Sequence, residues 1–180
     1  MVTLASSGAA QSQVSVELAP RLTTPVSAFG DQGPDASPGL TGMLLVRVFS
    51  PLSVYGGWDR VAFDCGPCGT PGSIRASGPF AGMEAQLSTD RRWRPWFRAG
   101  ASRRTATSSI VIATIETEDT WAIHAGAGLL VAIGDRFAVT AGAQFETLDP
   151  GVDLGSDETE LGTPMSYVSF GVGLRLDLIR

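Results

Sequence analysis

Apolar and polar side chains alternate along the C-terminal stretch Ser166–Arg180. Its even-numbered positions from Val168 to Leu178 are apolar, whereas the odd-numbered positions between them are small, polar or charged. Because successive side chains of a strand point to opposite faces, this period of two predicts a strand with one apolar and one polar face. The alternation recurs in Trp121–Ile133 and Phe137–Leu148, which a short turn sequence separates. The repetition predicts long, amphipathic antiparallel strands.

The same pattern predicts eight strands along the chain. They are Val14–Thr24, Leu40–Phe49, Val54–Phe63, Gly78–Ser88, Pro95–Thr107, Trp121–Ile133, Phe137–Leu148 and Ser166–Arg180. The sequence does not reveal which face of the third strand points inward. Long predicted loops, at 30–39, 64–77, 108–119 and 149–164, alternate with short turns. An even number of strands of about ten residues, joined alternately by long and short connections, is typical of a transmembrane β-barrel.

Composition agrees with an all-β membrane protein. No apolar run approaches the roughly 18 residues of a transmembrane helix, and 22 glycines among 180 residues disfavour helices. The net charge is −5, and no basic patch is visible, so nucleic acid is not an expected partner. Residues 1–12 are interpreted as a flexible leader or a signal-peptide remnant, and residues 13–180 as the barrel.

Two segments near the C-terminus carry a resemblance to a known group of proteins. One contains Ala125-Gly126-Ala127-Gly128-Leu129 and the turn Gly134-Asp135-Arg136, and the other reads Phe-Gly-Val-Gly-Leu-Arg-Leu from Phe170. They resemble the closing strands of small outer-membrane β-barrels of the OmpA-like and OmpX/Ail-like group. The resemblance implies an eight-stranded up-and-down barrel in a bacterial outer membrane, in contact with lipid and lipopolysaccharide. It further implies a non-enzymatic role, either structural or in presenting the long loops for adhesion or another extracellular interaction.

The polar faces of the predicted strands carry charges of both signs. These residues are Glu17, Arg21, Arg47, Glu84, Arg98, Arg104, Glu146, Arg175 and Asp177. A lipid-facing arginine near the bilayer midplane costs about 2–4 kcal/mol, so we predict that these charges point into the barrel. Side chains can fill an eight-stranded barrel, and an unpaired buried charge is unfavourable. The set therefore predicts an ion-pair network that closes the lumen, with a small channel as the alternative.

Both cysteines lie in the second long loop, in the sequence Cys65-Gly66-Pro67-Cys68. This spacing matches the redox motif of thioredoxins, where a helix N-terminus lowers the pKa of the first thiol. The following residues, Gly69–Gly72, would not begin a good helix. On an oxidising cell surface we favour a local disulfide between Cys65 and Cys68, with metal binding or redox chemistry as alternatives. No cofactor is expected.

His124 is the only histidine and lies on a predicted inward face. We interpret it as a hydrogen-bonded residue of the lumen. The alternative is an outer-membrane enzyme that modifies lipid or lipopolysaccharide, in which a serine and an acid would converge on His124. A soluble lipocalin-like carrier of a small ligand is a further alternative. That class requires the reverse arrangement, with an apolar interior and a polar exterior.

Aromatic residues lie near several predicted strand ends, where interfacial girdles occur in membrane barrels. They are Tyr55, Trp58, Trp93, Trp96, Trp121 and Tyr167. The fourth long loop is acidic and has the length of a calcium-binding loop. However, Leu154 occupies the position at which such a loop requires glycine, so a solvated loop without a metal site is expected.

Overall fold

The regular structure of the chain consists of β-strands. The computed structural model describes residues 13–26, 36–64, 73–87, 92–110, 113–116, 120–148 and 165–179. The strands are β1 (Val14–Pro25), β2 (Ser37–Phe49), β3 (Leu52–Asp64), β4 (Ser73–Gln86), β5 (Trp93–Ile110), β6 (Ala113–Glu116), β7 (Thr120–Ala132), β8 (Phe137–Leu148) and β9 (Met165–Ile179). Among these residues, no helix is long and apolar enough to cross a membrane.

Eight of the nine strands form a closed antiparallel barrel. Each pairs with its neighbours in the order β1, β2, β3, β4, β5, β7, β8, β9, and β9 pairs with β1 to close the ring. Strand β6 has only four residues and pairs with the far end of β5, outside this ring. Closure gives each strand a partner on both sides, which satisfies backbone groups that lipid could not. The predicted eight-stranded up-and-down barrel is confirmed.

The two faces of the barrel wall have opposite character. On β1, the side chain of Leu18 is 53% exposed on the outside, whereas Glu17 is 2% exposed and lies inside. On β9, Phe170 is exposed outside and Arg175 is buried inside. Leaving such apolar side chains in water is unfavourable by roughly 25 cal/mol per Å². A lipid bilayer is the solvent that suits this surface, and the arrangement is the reverse of a soluble lipocalin-like carrier.

The connections at the two ends of the barrel differ in length. At the end where β1 begins and β9 ends, here called the lower end, strands are joined by the short segments 50–51, 87–92 and 133–136. At the opposite, upper end the connections are longer, at 26–36, 65–72 and 149–164. The strands are longer than predicted and extend into the predicted loops at Ser37–Gly39, Ser73–Ser77 and Ser108–Ile110. The prediction used the apolar alternation of the membrane-facing stretch. Cross-strand pairing continues beyond that stretch wherever two neighbouring segments remain extended.

Glycines on β7 and β8 make room for the largest interior side chain. Trp96 of β5 is 5% exposed and packs against Leu130 and Ala138. A Cβ atom added at Gly142 would lie 2.7 Å from Cη2 of the Trp96 indole, and one at Gly128 would lie 2.6 Å from its Cε2. Real Cβ atoms do not approach other heavy atoms this closely. The interior position of Trp96 therefore depends on glycine at both places.

We expect Gly142→Ala to destabilise the barrel, because the new methyl group would overlap the Trp96 indole. Overpacking of this kind costs about 1–3 kcal/mol, measured as a lower urea midpoint of unfolding in detergent micelles. Gly134→Ala is the matched control, because a Cβ atom at Gly134 meets nothing within 4 Å. Equal losses of stability in the two variants would contradict the proposed packing.

Candidate functional site in the barrel lumen

Four charged side chains meet across the lower half of the lumen, and we call them the lower quartet. Glu17 of β1 is the direct cross-strand partner of Arg175 on β9, and Glu84 of β4 is the partner of Arg98 on β5. In the ring of eight strands, β1 stands opposite β5 and β9 stands opposite β4. The lower quartet therefore connects diametrically opposite walls of the barrel.

The contacts within the lower quartet are short and multiple. Arg98 donates to both carboxylate oxygens of Glu17, at 3.0 and 2.7 Å, and through Nε to Glu84 at 2.7 Å. Arg175 donates through Nη2 to Glu17 and to Glu84, at 2.7 Å in each case. Each of the four residues is no more than 5% exposed. Two carboxylates and two guanidinium groups balance in charge, and the planar guanidinium fork suits such bidentate pairing.

Aromatic rings hold one guanidinium of the lower quartet in place. The Cζ atom of Arg98 lies 4.3 Å from the centre of the Trp96 ring and 5.8 Å from the centre of the Tyr55 ring. Both distances are within the range of cation–π attraction. The rings also limit the space into which the side chain could swing, so Arg98 is held by charge and by packing together.

A second group of charges, the upper cluster, spans the lumen nearer the upper end. It consists of Arg21, Asp59, Arg104 and Glu146. Arg104 donates to the two Glu146 oxygens at 2.8 Å each and to Asp59 at 3.1 Å. Arg21 Nη1 lies 3.8 Å from Asp59 Oδ2. Since β1 faces β5 and β3 faces β8 across the ring, this cluster joins four walls of the barrel.

The remaining two predicted lumen charges lie at the lower mouth. Asp177 accepts a hydrogen bond from Ser15 at 2.7 Å, and Arg47 donates to Gln86 at 3.4 Å. Both charged residues are partly exposed. All nine predicted residues thus lie on the inner face, seven of them in the quartet and the cluster. Two inward-facing charges were not predicted. Asp59 lies on the third strand, whose pattern did not reveal its facing. Arg94 lies just outside the predicted strand Pro95–Thr107 and lines the lower mouth together with Arg47 and Asp177.

His124 lies between the two charged groups, against an aromatic part of the wall. Its Nε2 is 2.7 Å from the Tyr55 hydroxyl, and its ring centre is 6.0 Å from that of Phe80. It is 4% exposed, and its Nδ1 has no hydrogen-bond partner among the residues that the structure describes. Glycines again provide the space, because a Cβ atom at Gly82 would meet the Tyr55 hydroxyl and one at Gly100 would meet Nε2.

A serine and an acid lie in the same part of the wall but do not engage the imidazole. Ser102 donates to Glu146 at 2.8 Å, and Glu146 also accepts from Arg104. Ser102 is fully buried, and Glu146 is 1% exposed. A nucleophile must reach both its base and its substrate, so this arrangement offers little support for hydrolysis of a lipid.

The predicted aromatic girdle is wrong for half of its members. Tyr55, Trp96 and Tyr167 are buried in the lumen, at 4–5% exposure. Each is an even number of residues from a charged lumen residue on the same strand, with Trp96 two from Arg98, Tyr55 four from Asp59 and Tyr167 eight from Arg175. Even spacing along a strand places both side chains on one face, and this parity carries the signal. Trp58, Trp93 and Trp121 are 57%, 48% and 69% exposed on the outside.

Several predictions fall outside the described residues. They concern Cys65 and Cys68, segment 1–12 and most of the long loops. Their proposed disulfide, leader and partner-binding roles remain predictions. Within the part of the chain that the structure describes, no group of three or more histidine, cysteine, aspartate or glutamate residues could hold a metal ion.

Known structures share this barrel. The chain is similar to Neisserial surface protein A, with a TM-score of 0.64, 12% identity and coverage of 93% of this chain and 97% of that one. For the outer membrane protein AlkL, the TM-score is 0.60, the identity 12% and the coverage 100% and 96%. For Ail, the attachment invasion locus protein of Yersinia pestis, the values are 0.57, 14%, 93% and 98%. No protein-family model and no curated protein matches the sequence.

We expect Glu84→Gln to destabilise the barrel strongly, since two buried guanidinium groups would then share one carboxylate. Removing one partner of a buried ion pair costs about 3–5 kcal/mol, measured by urea unfolding in micelles. The double variant Glu84→Gln with Arg98→Gln restores electrical balance and should recover part of that loss. A single variant as stable as the parent protein would contradict the coupling.

We expect Tyr55→Phe to leave Nε2 of His124 buried without its partner, which costs about 1–3 kcal/mol. The same substitution in a His124→Phe background removes both partners and should be less harmful. Unfolding midpoints of the four proteins form a double-mutant cycle. A coupling energy near zero would mean that the two side chains stabilise the wall independently.

Proposed function

Because the chain has the fold of the small eight-stranded outer-membrane β-barrels, we propose that it resides in a bacterial outer membrane as a closed, non-enzymatic barrel. In this proposal the barrel anchors its long upper connections at the cell surface, where they take part in adhesion or another interaction. The observation that carries the proposal is a lumen crossed at two levels by paired charges.

The packing of the lumen supports a closed barrel over a channel. The lower quartet crosses the full diameter with hydrogen bonds of 2.7–3.0 Å. Two pockets lined by lumen residues, one of them at the lower mouth, have free volumes of about 10 and 20 Å³. Each holds roughly one water molecule. A continuous water column would require both charged levels to separate, with the loss of several short ion pairs.

The unequal ends of the barrel support a role for the upper connections. The lower turns contain two to six residues, whereas segment 149–164 alone contains sixteen. Strands β3, β4 and β5 also continue past the charged levels towards the upper end. Long extracellular loops on a rigid barrel are the usual place for variable, partner-specific chemistry. We propose segments 30–39, 64–77, 108–119 and 149–164 as the partner-binding regions.

The lipid-modifying enzyme is the second candidate, and the surroundings of His124 favour the closed barrel over it. The imidazole is hydrogen-bonded to Tyr55 in the interior, and the neighbouring Ser102 is directed to Glu146. A lipid substrate approaches from the outside of the wall, whereas these groups face the lumen. The Tyr55–His124 pair is better explained as part of the internal packing.

We expect the refolded protein to migrate faster on a denaturing gel unboiled than boiled, and to insert into planar bilayers without steady conductance. Replacing the lower quartet with alanine (Glu17→Ala, Glu84→Ala, Arg98→Ala, Arg175→Ala) should open a conductance that the parent protein lacks. The matched control carries four alanines at neighbouring outward positions. These are Leu18→Ala, Met83→Ala, Phe97→Ala and Leu174→Ala.

The two halves of this test address separate parts of the proposal. A protein that is monodisperse without detergent and shows no gel shift would overturn the membrane assignment. Steady ion current through the parent barrel would overturn the closed lumen but leave the membrane assignment intact. Conductance in the control variant would mean that general loosening of the wall, rather than loss of the quartet, opens the lumen.

A further inference from the structure

The outer surface of the barrel carries few charges, and they are grouped. Among the described side chains on the outward face of the eight barrel strands, those with a charge are Arg60, Arg75 and Arg103. All three are exposed, and they lie on the adjacent strands β3, β4 and β5. The described outward positions of the other five strands are uncharged. Among the outward side chains that the structure describes, the charge is thus confined to one side of the barrel.

The strand register places the three arginines around one point. Ser77 of β4 is the direct partner of Arg60 on β3 and of Thr105 on β5. Arg75 is the next outward residue above Ser77, and Arg103 is the next outward residue below Thr105. Direct partners are about 5 Å apart and diagonal ones about 7–8 Å, so long side chains at these positions can reach a shared ligand. We call this surface the arginine patch.

The arginine patch lies at the level of the upper membrane boundary. Trp93 marks the lower rim of β5 and is ten residues from Arg103 on the same strand. At a rise of about 3.3 Å per residue and a tilt of about 40°, this span climbs roughly 25 Å, the height of the lipid-facing band of such barrels. Trp121, 69% exposed, is the direct partner of Arg103. Tryptophan favours the same interfacial level.

We propose that the arginine patch binds the phosphate groups of a phosphorylated glycolipid in the outer leaflet, of the lipid A class. The patch adjoins the apolar belt, with Trp58 and Pro79 one outward position below Arg60 and Ser77. A lipid whose acyl chains lie against this belt would hold its phosphate groups at the level of the patch. Guanidinium groups bind phosphate in a multidentate manner, and Ser77 adds a hydroxyl at the centre of the patch. This proposal rests on the proposed outer-membrane residence and adds a specific lipid partner to it.

The test measures the affinity of fluorescent bis-phosphorylated lipid A for the refolded parent protein and for its variants, in micelles at low ionic strength. The variant Arg60→Gln, Arg75→Gln, Arg103→Gln should bind about 100-fold more weakly, since each basic side chain near an anionic surface contributes roughly a factor of five. Single variants should lose about fivefold each, and the triple lysine variant should retain most of the affinity. Lipid A without phosphates should bind the parent protein as weakly as the triple glutamine variant.

The matched control is Arg92→Gln with Arg136→Gln, two exposed arginines in the lower turns. This variant should bind like the parent protein. Equal binding by the triple glutamine variant, or equal binding of the phosphate-free lipid, would overturn the proposal. Tighter binding of a soluble sulfated polysaccharide than of lipid A at the same patch would also overturn it. If the parent protein inserts as a heat-modifiable barrel and gives any of these results, only the proposed lipid site is refuted. If the parent protein does not insert, both proposals are refuted.

Discussion

The narrow lumen of an eight-stranded barrel is the constraint on which the rest of this structure depends. Charges placed on the inward face cannot be solvated by bulk water, so each must find a protein partner. The lower quartet meets this requirement with two carboxylates and two guanidinium groups on diametrically opposite walls. Because its members come from β1, β4, β5 and β9, the quartet ties the two ends of the chain to its middle.

Packing around the charges follows from the same constraint. A guanidinium group that must remain within hydrogen-bonding distance of two carboxylates needs a rigid wall beside it. Trp96 supplies that wall for Arg98, and the indole in turn requires glycine at positions 128 and 142. Gly128 on the inner face of β7 and Gly142 on that of β8 are therefore complementary to one large side chain on β5. Gly82 and Gly100 make room for Tyr55 and His124 in the same way.

The outside of the barrel is governed by a different solvent and shows different chemistry. Apolar side chains dominate there because lipid offers no partner for a polar group. Against that background, three arginines on adjacent strands around one register position are informative in a way that surface arginines of a soluble protein are not. The same residue type has two roles in this chain, pairing with carboxylates inside and facing the membrane boundary outside.

The sequence by itself determined the barrel architecture and most of the inward face. A period of two is a local property, so Glu17 and Arg175 could be assigned to the inner face from their own strands. Where the local pattern was weak, as on β3, the sequence left Asp59 unassigned. The aromatic residues were misplaced for a related reason, since nearness to a strand end outweighed parity for Tyr55, Trp96 and Tyr167.

Which charges meet across the lumen depends on the assembled barrel. The partners Glu17 and Arg98 are 81 residues apart, and their contact depends on the register and closure of the whole ring. The grouping of Arg60, Arg75 and Arg103 likewise arises from the pairing of three strands, and no single strand contains more than one of them. Side-chain direction is set by the local backbone, whereas distances across a lumen or between strands are set by how the strands are assembled.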